Sequence, residues 1–311
     1  MARKLMIDLD PGIGDAVAAV LAMLDPEIDL LALTATAGCV TGKVATRNLH
    51  GILAQVDPGK WPRIGAAEAA PAARRPLLAK ELEELNGPTG LGDLEIVAPE
   101  LHHRHESSKL MIDIVRSNPY QVTLLTLGPL TNVAAACERQ PDFLSQLGGL
   151  VCLGGSVSNP GDATPVAETN IYLDPEAART VLGSPEVKTL VPLDATNAAV
   201  ITFENFNRIS VGQSRGALFL QQLLPFYFRA HHQFLGMEGI RLREVVALAH
   251  VARPSLFRIQ PLEVDVEIRG ELTRGMTVFE RRTPSSGKTN ASVLVEVDTQ
   301  GVVDYVTALL R

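Results

Sequence analysis

The sequence predicts an α/β protein with a mostly parallel central sheet flanked by helices. Three observations carry that expectation. Short apolar runs alternate with helical stretches in a strand, loop, helix, strand order. Proline and glycine break the chain where the strands stop, at Asp10-Pro11-Gly12, Gly128-Pro129 and Gly154-Gly155. A chain of 311 residues that is 46% hydrophobic can also bury a large core without a disulfide or metal staple.

The elements follow in order. Lys4 to Leu9 reads as a strand, and Asp15 to Leu24 as an alanine-rich, mostly buried helix. Asp29 to Thr36 is the next strand and Lys43 to Val56 the next helix. Ala66 to Pro76, rich in alanine and proline, reads as a surface loop. The rhythm resumes with a strand over Gln121 to Leu127 and a helix through about Glu138. A strand over Gly149 to Leu153, a helix over Pro175 to Leu182 and a strand over Val187 to Leu193 follow. Phe206 to Arg253 reads as a mainly helical insertion, and strand-like alternation returns at Gln260 to Arg282 and Ala291 to Asp298. With no repeat or linker to divide it, the expectation is one α/β domain over residues 1–311. In open parallel sheets ligands bind at the carboxyl ends of the strands, and Asp10, Leu127, Gly154 and Asp194 sit at such ends.

Composition narrows the function classes. A net charge of −7 and a pI near 5.6 argue against nucleic acid and anionic membranes as partners. No apolar run reaches the ~18 residues of a membrane span, and the N-terminus meets Asp8 too early for a signal peptide. Cys39, Cys137 and Cys152 are too scattered for a disulfide framework or zinc site, so a cytoplasmic setting is expected.

Two constellations could carry chemistry. Asp8-Leu9-Asp10-Pro11-Gly12-Ile13-Gly14-Asp15 places three carboxylates within eight residues. Like charges gather so when a hard cation such as Ca²⁺ or Mg²⁺ holds them. The plainer alternative makes Asp15 a helix cap and Asp8 a satisfied turn residue. In Thr164 to Ala178, Glu168 and Asn170 are two apart, and on an extended segment they would point the same way. A carboxylate beside an amide suits vicinal hydroxyls, as on a sugar; otherwise Glu168 is a surface charge. Tyr227 and His231 share a helix face, which by itself reads as an ordinary amphipathic surface with His231 and His232 exposed. The histidines of Leu101-His102-His103-Arg104-His105 read as a solvated loop, and Cys39 as a small packing residue.

Asp8 to Asp15, Leu127 to Asn132, Leu153 to Gly155 and Thr164 to Ala178 resemble the inosine–uridine-preferring nucleoside hydrolase family. So do Gly90-Leu91-Gly92-Asp93, Val264 to Glu267 and Thr273 to Val278. The resemblance implies a nucleoside hydrolase-like fold, a homodimer or homotetramer, and a Ca²⁺-dependent enzyme that cleaves the N-glycosidic bond of a nucleoside. It makes Asp10 both general base and ion ligand, with Asp15, the Leu127 carbonyl and Glu244 as further ligands. Glu168 and Asn170 would hold the ribose hydroxyls, and Tyr227 and His231 would close over the base, in a stacking or leaving-group role.

The sequence departs from the family pattern at several of these places. Gly14 stands for an aspartate set against the 2′-hydroxyl, so acceptance of 2′-deoxynucleosides is expected. Cys39 stands for an asparagine, Asn86 for a histidine, Asp162 for an asparagine, and Arg243-Glu244-Val245 for a histidine, aspartate and proline. Arg243 stays protonated and cannot serve as a leaving-group acid. Two arrangements are open: Asp162 replaces the lost charge and Arg243 pairs with an acid in the substrate pocket, or Arg243 neutralises Asp10 and Asp15 in place of Ca²⁺. The competing functional readings are a non-catalytic nucleoside- or sugar-binding protein and a hydrolase of another N-ribosyl compound.

Overall fold

The computed structural model describes residues 2–68, 76–96, 105–209, 212–282 and 288–311. The elements run β1 (Arg3–Leu9), α1 (Ile13–Leu24), β2 (Ile28–Ala35), α2 (Gly42–Val56), β3 (Arg63–Ala66), α3 (Pro76–Asn86), β4 (His105–Glu106) and α4 (Ser107–Ser117). Next come β5 (Val122–Thr126), α5 (Thr131–Arg139), β6 (Gly149–Leu153), α6 (Thr169–Leu173), α7 (Pro175–Leu182), β7 (Lys188–Val191), α8 (Leu193–Thr196), β8 (Val200–Thr202) and α9 (Phe203–Ile209). The chain closes with α10 (Arg215–Leu235), β9 (Gly239–Arg241), α11 (Arg243–Ala252), β10 (Phe257–Leu262), β11 (Val264–Val266), β12 (Thr277–Phe279), β13 (Ala291–Val297) and α12 (Thr299–Leu310).

Among the described residues nine strands form one sheet, ordered β10-β13-β7-β6-β5-β1-β2-β3-β4. Every pairing in it is parallel except that of β10 with β13. After β1 the chain builds outward through β2, β3 and β4, then returns to β5 on the other side of β1. That reversal opens a crevice beyond the carboxyl ends of β1 and β5. Asp10 and Leu127, which follow those two strands, therefore start at its edge.

The period of two along β1 sorts its side chains onto two cores. Leu5, Ile7 and Leu9 enter the core beneath α1, α2, α10, α11 and α12, whereas Met6 enters the one beneath α4, α5 and α7. Helix α1 is buried on all sides because α10, α11 and α12 cover the flank that the sheet does not. Its run of alanines permits that close approach.

Several elements differ from the sequence reading. Helices α3, α4 and α12 and strands β3 and β4 are absent from the sequence reading. Ala66 belongs to β3 and Pro76 opens α3, while most of the loop expected between them lies outside the described residues. His102, His103 and Arg104 also lie outside them; His105 is in β4. The helical insertion is interrupted by β9, which pairs antiparallel with β8. Among the described residues no helix is long and apolar enough to cross a membrane.

His250 on α11 stands edge-on to Phe257, with ring centroids 5.2 Å apart, and its Nδ1 has no partner among the described residues. Burial lowers its pKa from 6.5 to about 4. The folded state therefore keeps His250 neutral between pH 6.5 and 4 while the unfolded chain takes up a proton. Its contribution is present above pH 6.5 and is lost as pH falls toward 4. Between pH 7 and 5 the stability of His250→Phe should gain about 1–2 kcal/mol on the wild type, measured by urea unfolding. A constant difference across that range would contradict this account.

Candidate active site

The cavity at the carboxyl edge measures about 430 Å³, within the ~300–1,000 Å³ usual for small-molecule sites. Its floor is acidic and one wall is apolar, formed by Leu78, Leu82 and Leu85 of α3 with Tyr227, Phe234 and Leu235 of α10.

Two carboxylates from the start of the chain and one from late in it line the floor. Asp10 follows β1, Asp15 lies in the first turn of α1, and Glu244 lies in the first turn of α11. The Asp10 carboxylate accepts the Cys39 backbone N–H and sits in a slot that only glycines leave open. A Cβ at Gly38 would lie 2.0 Å from its Oδ2, and one at Gly128 2.5 Å from its Oδ1. Asp15 is not the helix cap. Gly12 holds that position, and Asp15 Oδ2 reaches back to accept the Gly12 N–H at 3.2 Å. Asp8 points away from the cavity, where its Oδ1 accepts Thr34 Oγ1 at 2.7 Å and Asn132 Nδ2 at 2.9 Å.

Burial pushes the Asp10 carboxyl up to about 7, and the neighbouring Glu244 and Asp8 charges add to the rise. Asp15 is raised well above its ordinary range by burial, then by Asp10 and Glu244; Glu244 is raised by burial. Asp15 Oδ1 and Glu244 Oε2 are buried without a hydrogen-bond partner among the described residues. Orphaned carboxylate oxygens, in a cavity that Leu127 also lines, are the donors a hard divalent cation takes. Among the described residues no group of three or more His, Cys, Asp or Glu side chains stands arranged to hold a metal ion.

Gly14 and Glu244 are physically interlocked. A Cβ on Gly14 would lie 2.0 Å from Glu244 Oε2 and 2.3 Å from its Cδ. The longer acid on α11 fills the volume that a side chain at 14 would take.

Arg243 does not neutralise Asp10 and Asp15. Its guanidinium pairs with Asp162 and donates to Asn197 Oδ1 at 3.3 Å. Asp162 is thereby occupied, since its Oδ1 also accepts the Thr169 N–H and hydroxyl at 2.8 and 2.9 Å. Asp194 is likewise structural, accepting the backbone N–H groups of Val157, Ser158 and Asn159.

Glu168 and Asn170 reach the cavity by a different route from the extended one expected. Glu168 caps α6, its Oε2 accepting the N–H groups of Ile171 and Gly155, both at 3.1 Å, and Asn170 lies in the first turn. Burial pushes the Glu168 carboxyl up to about 8. Asn170 Nδ2 donates to the carbonyls of Leu127 and Leu153 at 2.7 and 3.1 Å, which leaves its amide oxygen as the end available to a ligand.

His231 is buried and His232 exposed, because only the former faces the cavity wall. Its ring meets Tyr227 edge-on at 4.2 Å, and Nδ1 donates to the Tyr227 carbonyl at 3.0 Å. Burial lowers its pKa to about 4, so His231 is neutral at pH 7. Cys39 and Asn86 also line the cavity; Asn86 Oδ1 accepts the Ile13 N–H at 2.9 Å and fixes the start of α1. Sequence reasoning missed the apolar wall of α3, and it missed Arg241, whose only signal is the alternation in Gly239-Ile240-Arg241-Leu242-Arg243.

The solved structures similar to this fold include a plant nucleoside hydrolase, the PpNRh1 enzyme. It has a TM-score of 0.90 and 27% identity, with 100% of this chain and 99% of that chain covered. A purine-preferring ribonucleoside hydrolase from Gardnerella vaginalis also has a TM-score of 0.90, at 25% identity with 99% and 98% covered. In sequence, the pyrimidine-specific ribonucleoside hydrolase RihA of Escherichia coli O17:K52:H18 is 33% identical over 313 residues, covering 100% of this chain and 99% of the relative. RihA of Shigella boydii serotype 4 matches equally, at 33%. Fold and site thus define a nucleoside hydrolase, an enzyme that breaks the N-glycosidic bond of a nucleoside with water. The chain belongs to the inosine-uridine preferring nucleoside hydrolase family, whose model matches residues 5–304.

Proposed function

We propose that this enzyme hydrolyses ribonucleosides, pyrimidine ribonucleosides foremost, with Asp10 as general base and a Ca²⁺ ion held by Asp10, Asp15, Glu244 and the Leu127 carbonyl. The observation that carries the reading is that Asp10, Asp15, Glu244 and Leu127 line one cavity at the switch point of the sheet, with Asp15 Oδ1 and Glu244 Oε2 buried and without a partner among the described residues. The 33% identity to pyrimidine-specific relatives supports the base preference. The family resemblance supports a homodimer or homotetramer, and the free cysteines suit a cytoplasmic setting.

In this reading Glu168 and the amide oxygen of Asn170 hold ribose hydroxyls, and the apolar wall with Tyr227 and His231 encloses the base. Asp10 takes a proton from the attacking water as its oxygen bonds to the anomeric carbon. The bond to the base breaks, and its electron pair leaves with the base nitrogen. Positive charge grows on the sugar ring, where the carboxylates of the floor stabilise it. When bound, the cation supplies a lower pKa to water and a template for the sugar hydroxyls. Asp162 and Arg243 border the pocket as an ion pair that orients the segment carrying Glu168. We extend the proposal to residues 1–311 as one domain, since both halves of the chain contribute strands to the large sheet.

The position of Glu244 changes the expectation drawn from Gly14 alone. A carboxylate does stand over residue 14, supplied by Glu244, so we propose that ribose is preferred over 2′-deoxyribose. A hydrogen bond to a charged acceptor contributes about 1.5–3 kcal/mol. Uridine should therefore exceed 2′-deoxyuridine in kcat/KM by roughly 10–100-fold, and exceed inosine and adenosine as well. Free-sugar release across these nucleosides tests the proposal. Equal values for uridine and 2′-deoxyuridine would sink the ribose assignment.

A further inference from the structure

Breaking the glycosidic bond leaves an electron pair on the base, which needs a proton or a positive partner. The side chains around the base wall do not supply a proton readily. His231 is neutral, with Nδ1–H already committed to the Tyr227 carbonyl. Arg243 keeps its proton and is tied to Asp162 and Asn197. Burial pushes the Tyr227 hydroxyl well above its usual range, so its proton is held more tightly than usual.

Arg241 is differently placed. It ends β9, whose pairing with Val200 of β8 fixes its backbone, and its side chain lines the same cavity as His231, Phe234 and Leu235. The side chain is half-buried, and its Nε is fully buried without an acceptor. Of the two guanidiniums in the cavity, that of Arg243 is held by Asp162 and Asn197, whereas that of Arg241 makes no hydrogen bond or ion pair with any described residue. Leaving a buried donor unpaired is costly, and an acceptor on a ligand in this cavity would remove that cost. A guanidinium presents a rigid fork of donors and carries its charge at every working pH.

We infer that Arg241 is the contact that stabilises the departing base, by donating hydrogen bonds to its ring nitrogen or carbonyl oxygens as they gain charge. This rests on the hydrolase reading above. No proton passes from Arg241: the water oxygen bonds to the sugar, its proton goes to Asp10, and the base leaves as an anion paired with the guanidinium. The base takes its proton from solvent on release. The pocket thus uses a fixed cation where a general acid would otherwise serve.

The test compares uridine with p-nitrophenyl β-D-ribofuranoside, whose nitrophenolate departs without help. Arg241→Gln should lower kcat/KM for uridine by ~100-fold, the scale of losing one donor aimed at developing charge, and lower that for the nitrophenyl riboside less than ~3-fold. Arg241→Lys, which keeps the charge but not the fork, should recover part of the uridine rate. Unchanged thermal midpoints for both variants show that the fold is intact. Equal losses on the two substrates, or no loss on uridine, overturn the role of Arg241 and leave the hydrolase reading standing. A wild type that turns over neither substrate overturns that reading, and this inference with it.

Discussion

Asp10→Asn should abolish nucleoside turnover while making the cation-free protein more stable. Loss of a general base costs about 10²–10⁴-fold in rate. The larger figure is expected here, because Asp10 would also stabilise positive charge on the sugar. The stability gain follows from the same geometry. Asp10 and Asp15 are buried with the half-buried Glu244 beside them, Asp10 is pushed up partly by Glu244 and Asp15 partly by Asp10 and Glu244, and among the described residues none of the three is in an ion pair. Removing one charge from such a set should add roughly 1–3 kcal/mol. The amide keeps the shape of the slot between Gly38 and Gly128, so the fold has no reason to shift. Thermal unfolding in chelator, alongside ribose release, checks both halves. A variant that is inactive and also less stable would mean that Asp10 holds the fold rather than the chemistry.

Adding Ca²⁺ to chelator-treated enzyme should raise the thermal midpoint, because a cation that binds only the folded state stabilises it. At a hundred times its Kd the gain is about 2.7 kcal/mol, roughly 5 °C for a chain of this size. Gly14→Ala should weaken that response without unfolding the protein. The new methyl meets the end of a flexible side chain, so Glu244 turns aside while the backbone stays. Displacing a ligand's support costs roughly 10–100-fold in metal affinity, read as a rightward shift of the Ca²⁺ titration. A titration that Gly14→Ala leaves unmoved would separate Glu244 from the ion.

The parts of the site legible in the sequence are those set by strand ends. Asp10 and Leu127 follow β1 and β5 beside glycine and proline, and a parallel sheet places such residues at the ligand edge. What could not be read is what depends on a neighbour in space. Gly14 reads as a lost carboxylate until Glu244 is seen resting on it. Asp162 and Arg243 each read as a rewired pocket residue, and together they are an ion pair. Glu168 and Asn170 were expected on an extended segment, because the short helix that Glu168 caps carries no apolar periodicity. Arg241 stayed hidden because an arginine two residues from another is ordinary on a surface, and only the cavity shows that one is paired and the other is not.

The central claim is that this divergent acid set, with Gly14 and Glu244 in place of the usual pair, is a working hydrolytic centre. Ribose release from uridine, followed while Ca²⁺ is titrated back into chelator-treated wild-type enzyme, tests it most directly. The account predicts release that rises from background and saturates with Ca²⁺. Uridine that binds at saturating Ca²⁺ yet yields no free ribose would contradict it and make the chain a nucleoside-binding protein on a hydrolase fold.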